Sequence, residues 1–141
     1  MPPNNREHLD EPRVPFFAYG IFKPGQLAYR QIEQFVATTD KTAKVNGALR
    51  ERDGLPILKI GGTGEVRGVL VAFRADAEAE AYTRINKLEP EWQYCWETVQ
   101  VFSATDQREA AALIGVSADK GSIPLETNDW DGASDPLFTS N

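Results

Sequence analysis

Apolar positions fall into short runs separated by glycine- and proline-bearing turns, and their period changes from run to run. Val14–Gly20, reading VPFFAYG, is aromatic and β-branched and ends at a glycine, which predicts a buried strand. Ile21–Gln26 contains Lys23, Pro24 and Gly25 and predicts a loop. Ala28, Ile32, Phe35 and Val36 then recur at the spacing of one helix face, predicting a helix. Lys44–Leu49 and Pro56–Ile60 read as short strands on either side of the charged turn Arg50–Gly54, and Gly61, Gly62 and Gly64 make a second turn. Glu65–Phe73 is apolar on both faces through Val66, Val69, Leu70, Val71 and Phe73, the pattern of a central strand. Asp76 is placed to cap an alanine-rich helix from Ala77 to about Leu88, with Ala81, Ile85 and Leu88 on its apolar face, Tyr82 beside it and Pro90 as its stop. Glu97–Phe102 and Ala110–Val116 complete the pattern as two strands joined by the polar turn Ser103–Glu109.

The predicted order is therefore β-α-β-β-β-α-β-β. Two helices among about six strands do not alternate strictly, which disfavours a doubly wound parallel sheet and favours a mixed α+β sheet or small barrel. A chain of 141 residues suits one domain, able to bury roughly 70% of the surface its unfolded form exposes. Composition places that domain at residues 14–120. A polar N-terminal tail, residues 1–13, precedes it. A polar, acidic C-terminal tail, residues 121–141, follows, and its Trp130, Leu137 and Phe138 suggest that part of it folds back.

Charge narrows the partners. With 15 Lys+Arg against 21 Asp+Glu, the net charge of −6 disfavours non-specific attraction to nucleic acid or anionic lipid. No apolar run approaches the roughly 20 residues of a membrane helix, and the N-terminus lacks a signal peptide's apolar stretch. A cytoplasmic protein binding neither nucleic acid nor membrane is expected. Cys95, the single cysteine, cannot form an intrachain disulfide and reads as a buried, inert thiol. The single histidine, His8, lies in the N-terminal tail, so a Ser-His-Asp or Cys-His nucleophile system, or a zinc site built on His or Cys, lacks its residues in the core. An oxygen-ligand Mg²⁺ site stays formally open, but no EF-hand-like carboxylate cluster occurs, and no metal or cofactor is expected. Carboxylates, tyrosine or lysine are left to move protons.

Two positions could carry chemistry. Tyr19–Gly25 leads from a predicted strand into a predicted helix, where unpaired N–H groups and the helix dipole favour an anion such as a carboxylate; equally, Gly20 and Gly25 could serve only to turn the chain. Glu89 follows Ile85 by four and Tyr82 by seven, on or near the apolar face of the second helix. Pointing inward, it would be desolvated beside the negative helix end, and both effects favour its protonated form. Pointing outward, it would be solvated or paired with Lys87 or Arg84. Tyr19, Tyr82 and Tyr94 could donate hydrogen bonds in a cavity or be core residues with a wet tip.

Taken in order, these segments resemble the γ-glutamylcyclotransferase-like family from about Phe16 to Val101. Phe17-Ala18-Tyr19-Gly20 with Lys23 and Gly25 is similar to the family's Tyr-Gly loop. Gly47, Leu49 and Pro56 are similar to its next strands, and Val66–Leu70 to the strand before its second helix. Ile85–Glu89 followed by Tyr94 falls where the family has Leu-Asp-x-x-Glu and a tyrosine. The resemblance implies a small β-barrel with flanking helices, a catalytic acid/base at Glu89, and a γ-glutamyl group held at Tyr19, Gly20, Ile21, Phe22 and Tyr94. The implied reaction closes a γ-glutamyl amine or peptide to 5-oxoproline and releases the amine, without a cofactor. Three departures bear on the substrate: Ile21 and Phe22 replace a small hydroxyl residue and then Asn or Leu; Pro90 replaces a glycine; Trp96 replaces an arginine. A non-catalytic small-molecule-binding module of the same fold, and an enzyme acting on another amide, are the competing expectations.

Overall fold

The computed structural model describes residues 14–89, 93–104 and 106–130. Its strands are β1 (Phe16–Ala18), β2 (Val36–Asp40), β3 (Lys44–Arg52), β4 (Leu55–Arg67), β5 (Val69–Phe73), β6 (Tyr94–Phe102), β7 (Gln107–Gly115) and β8 (Ile123–Pro124), and one α-helix, α1, spans Glu78–Leu88. The strands form one mixed sheet in the order β2-β5-β1-β7-β6-β3-β4, with β8 beside β3. β1 pairs antiparallel with β5 (Phe17↔Leu70) and parallel with β7 (Phe16↔Ala111). A strand flanked on both sides and covered on both faces must be apolar at every position, which explains the unbroken Phe-Phe-Ala. Phe16 and Ala18 face α1 with Val71, Phe73, Ala81, Tyr82 and Ile85; Phe17 and Tyr19 join the other cluster with Val45, Leu49, Leu58 and Val101. Tyr82 anchors α1 through edge-to-face contacts with Phe73 and Trp96, at centroid distances of 5.4 and 5.3 Å.

The sheet curls until β4 approaches β7. The Tyr19 hydroxyl lies between them, donating to Leu113 O (2.6 Å) and accepting from Leu58 N (3.1 Å). A curled, half-barrel mixed sheet is thus the observed architecture, with eight strands rather than six and one α-helix rather than two among the described residues.

The missing helix was expected at Ala28–Val36. Ala28, Ile32 and Phe35 are buried as that pattern requires, but the chain makes only two 3₁₀ turns, Tyr29–Gln31 and Glu33–Phe35. Val36 then turns extended (φ −83°, ψ 133°) and begins β2, which pairs with β5. Val36, Thr38 and Thr39 are β-branched, and the partner strand outweighs a short helix whose nucleation is costly.

Glu65–Phe73 is also not one strand. It divides at Gly68, where β4 ends and the chain crosses to pair with β1 and β2. A Cβ there would lie 2.6 Å from Ala18 O and 2.7 Å from the Phe17 ring, so only glycine permits the crossing. The Gly61–Gly64 turn is a bulge inside β4: Asn46 faces Glu65, while the next residue, Gly47, faces Ile60. The charged turn narrows to Asp53-Gly54, with φ of 58° and 82°, the signature of a type I′ hairpin.

At α1, Ala77 rather than Asp76 occupies the cap position, and Asp76 instead meets Arg74 Nε at 3.3 Å. Leu88, expected on the apolar face, is exposed, and Cys95 is only half-buried. Beyond β7 the chain lies back along the barrel: β8 pairs with Arg50 and Glu51, Leu125 N donates to Leu49 O (3.0 Å), Arg67 N donates to Asn128 O (2.8 Å), and Trp130 is buried. His8, Pro90, Leu137 and Phe138 lie outside the described residues. Among the described residues, no helix is long and apolar enough to cross a membrane.

Candidate active site

Glu89 is the last residue tied to α1. Its N–H donates to Ile85 O (3.1 Å), while its own backbone has turned extended (φ −106°, ψ 130°). The turn drives the carboxyl inward, where the residue is only 7% exposed. It lines a narrow cleft together with the Tyr19–Phe22 loop, Pro56, Tyr94 and Leu113, floored by Phe16, Phe17 and Ala18. Burial in this apolar lining raises its pKa from 4.5 to about 7. Among the described residues Glu89 pairs with neither Lys87 nor Arg84. Arg84 instead lies over the Phe35 ring (5.7 Å) and donates to Gln31 O (3.3 Å).

The two cleft tyrosines have their hydroxyls committed. Tyr19 spends its proton on Leu113 O and accepts from Leu58 N, and Tyr94 donates to Pro56 O (2.8 Å). Burial, reinforced by the Glu89 charge, pushes both phenols well above their ordinary pKa and keeps them protonated. Both residues line the cleft, and the Tyr94 oxygen can still accept a bond. Tyr82, the third candidate, donates to Val14 O (3.1 Å) and does not line the cleft.

The loop opposite Glu89 is held by its carbonyls. Gly20 O accepts from Lys23 N (3.0 Å), Ile21 O from Ala28 N (2.9 Å), and Lys23 O from Gln26 N (2.9 Å). Among the described residues, no hydrogen bond uses the N–H groups of Gly20, Ile21 or Phe22. These three consecutive donors at the cleft are suited to an anion. The helix dipole expected to assist them is absent, because a three-residue 3₁₀ turn follows the loop. Gly20 also lets the loop close on Pro56: a Cβ would sit 2.8 Å from Pro56 Cγ. Phe22 is a core anchor, 3% exposed and edge-on to Phe16 (5.9 Å), while Ile21 is half-buried. Trp96 packs beneath α1 and donates from Nε1 to Asn86 Oδ1 (2.8 Å).

Sequence reasoning missed the partners from distant strands. Pro56 and Leu113 enter the cleft only through the curl of the sheet. Arg52, buried at the end of β3, donates to Gln93 Oε1 (2.5 Å), Gln93 O, Val116 O, Ser117 O and Lys120 O. It thereby pins the residue preceding Tyr94, and no local signal marks it. Among the described residues, no group of three or more His, Cys, Asp or Glu side chains could hold a metal ion.

The fold is shared with several solved structures. YkqA from Bacillus subtilis superposes with a TM-score of 0.69 at 14% identity; the match covers 92% of this chain and 44% of YkqA, so the chain spans less than half of that protein. An AIG2-like protein from Mus musculus matches with a TM-score of 0.61 at 13% identity, over 86% of this chain and 90% of its own. The uncharacterized protein PH0828 from Pyrococcus horikoshii matches at 0.60 and 19% identity, over 86% and 92%. At these identities the likeness is one of fold. Among curated proteins, none matches the sequence. Residues 16–132 match the family described as gamma-glutamyl cyclotransferase, AIG2-like, and the chain belongs to that family.

Proposed function

We infer that the protein is a cyclotransferase that converts a γ-glutamyl amine or peptide to 5-oxoproline and the free amine. The observation that carries this reading is a single one: a buried Glu89, with its pKa raised to about 7, faces the same cleft as three loop N–H groups that have no partner among the described residues. In this mechanism the N–H groups of Gly20, Ile21 and Phe22 hold the substrate's α-carboxylate, and the apolar floor presses the γ-glutamyl chain into a fold. The neutral α-amine attacks the γ-carbonyl carbon, forming the ring C–N bond. Glu89, as carboxylate, accepts the proton that the amine loses. The tetrahedral intermediate collapses with cleavage of the exocyclic C–N bond, and Glu89 returns the proton to the departing nitrogen. Nucleophile and electrophile share one molecule, so much of the orientation cost is already met, leaving Glu89 to contribute about 10²–10⁴-fold.

Family membership and the raised pKa support this reading; Ile21 and Phe22, which offer no side-chain polar contact, favour the rival binding module. Mass spectrometry for 5-oxoproline after incubation with a panel of γ-glutamyl amines and peptides separates them. Release by the parent but not by Glu89→Gln supports the enzyme and identifies the leaving group. No release by a folded parent moves the assignment to the binding module, and equal release by both proteins removes Glu89 from the mechanism.

A further inference from the structure

The loop that carries the three N–H groups is tied to the far end of the described chain by one ion pair. Lys23 Nζ lies 2.7 Å from Asp129 Oδ1, with the lysine side chain only 10% exposed and the aspartate 54%. This pair differs from Lys44–Glu65, Lys59–Asp119 and Arg74–Asp76, in which both partners are largely in solvent. Exposed pairs of that kind contribute little, whereas a buried ammonium deprived of its partner is strongly unfavourable.

Both sides of the pair are held in place. On the loop side, Lys23 donates its N–H to Gly20 O, accepts from Gln26 N, and follows the buried Phe22. On the other side, Asp129 N donates to Thr127 Oγ1 (3.1 Å), Asn128 O accepts from Arg67 N, and Trp130 is 3% exposed within the cluster that includes Tyr19. Residues 125–130 are therefore a strap fixed to β3, β4 and the core cluster around Tyr19, and among the described residues its charged contact with the loop is Asp129.

We propose that Asp129 is a positioning residue: through Lys23 it fixes the Gly20–Phe22 loop, so that the C-terminal strap sets how well the loop donors are arranged for their ligand. The proposal rests on the reading of that loop as the carboxylate-binding element, but its first test needs no substrate. Amide hydrogen exchange of the ligand-free protein reads the loop directly at Lys23, Gln26 and Ala28, whose N–H groups close it, with the β6–β7 amides as the measure of global opening. In Asp129→Asn, exchange at those three amides rises by about tenfold while β6–β7 is unchanged, Lys23→Met does the same, and Asp129→Glu restores the parent rates. Unchanged loop exchange in both Asp129→Asn and Lys23→Met overturns the proposal. So does a uniform rise that includes β6–β7, or an Asp129→Glu protein indistinguishable from Asp129→Asn. Where the parent releases 5-oxoproline, Asp129→Asn raises KM and leaves kcat within about twofold; a fall in kcat at constant KM overturns the positioning role. A parent without turnover refutes the cyclotransferase reading alone, because the exchange rates are measured in either case.

Discussion

Replacing Glu89 by glutamine removes a titrating group whose folded and unfolded pKa values differ widely, so stability should change with pH in a way that only the parent shows. Below pH 4.5 the carboxyl is neutral in both states and its burial carries no charge penalty. As pH rises above 4.5 the unfolded chain releases the proton while the folded chain, with a pKa of about 7, retains it; stability therefore falls until the folded form ionises as well. A shift from 4.5 to about 7 amounts to about 3 kcal/mol. Most of this loss, roughly 2–3 kcal/mol, falls between about pH 5 and pH 8. Urea unfolding of both proteins across that range gives ΔG at each pH, and subtracting the two curves cancels the groups they share. The parent should lose about 2–3 kcal/mol more than Glu89→Gln on going to high pH. Parallel curves, or a parent that gains stability relative to the variant as pH rises, would refute the claim that this carboxyl is desolvated in the folded protein.

The remaining predictions concern the contacts that shape the cleft and the titration of its acid/base. For 5-oxoproline release, the acidic limb of the kcat/KM profile should inflect near pH 7, where Glu89 becomes the carboxylate that accepts a proton; a limb near 4.5 would point to a solvated group. Tyr19→Phe leaves Leu113 O and Leu58 N unpaired between β7 and β4, which should cost about 2–4 kcal/mol by urea unfolding; a loss below about 1 kcal/mol contradicts the bridging role. Gly68→Ala forces a methyl against Ala18 O and the Phe17 ring, and should lower stability by about 3 kcal/mol or more. Arg52→Lys keeps the charge but has three donors for five bonds, so Tm should fall with a loss of about 2–4 kcal/mol.

Legibility in the sequence followed the range of the interaction. Phe16–Ala18, α1 and the β6–β7 pair could be read directly, because burial on both faces, a helical period and a polar turn are each written in adjacent residues. The inward placement of Glu89 was half legible: the spacing from Tyr82 and Ile85 put it on the right face, but the extended backbone that carries it into the cleft is a property of the helix end. Ala28–Val36 misled because the same apolar spacing that marks a helix also serves two 3₁₀ turns and a strand, and β5 decides between them. Gly68 hid a corner inside an apolar run, since what it avoids is a carbonyl fifty residues earlier in the chain. Arg52, Pro56, Leu113 and Asp129 left no local trace at all, because each gains its role from a strand or strap that the sheet brings round.

The place of β1 also dictates an order of assembly. The β3–β4 and β6–β7 hairpins can zip from their own turns, since the two strands of each are adjacent in the chain. β1 cannot: Phe16 must wait for Val71 on one side and Ala111 on the other, so this strand is among the last to complete its pairing. Until Gly115 has been synthesised, the edge of β1 that pairs with β7 stays open to solvent or to a chaperone, and the Tyr19 bridge between β4 and β7 cannot form. Nascent chains halted before β7 should thus be captured by hydrophobic holdases through β1, and chains that include β7 should escape them.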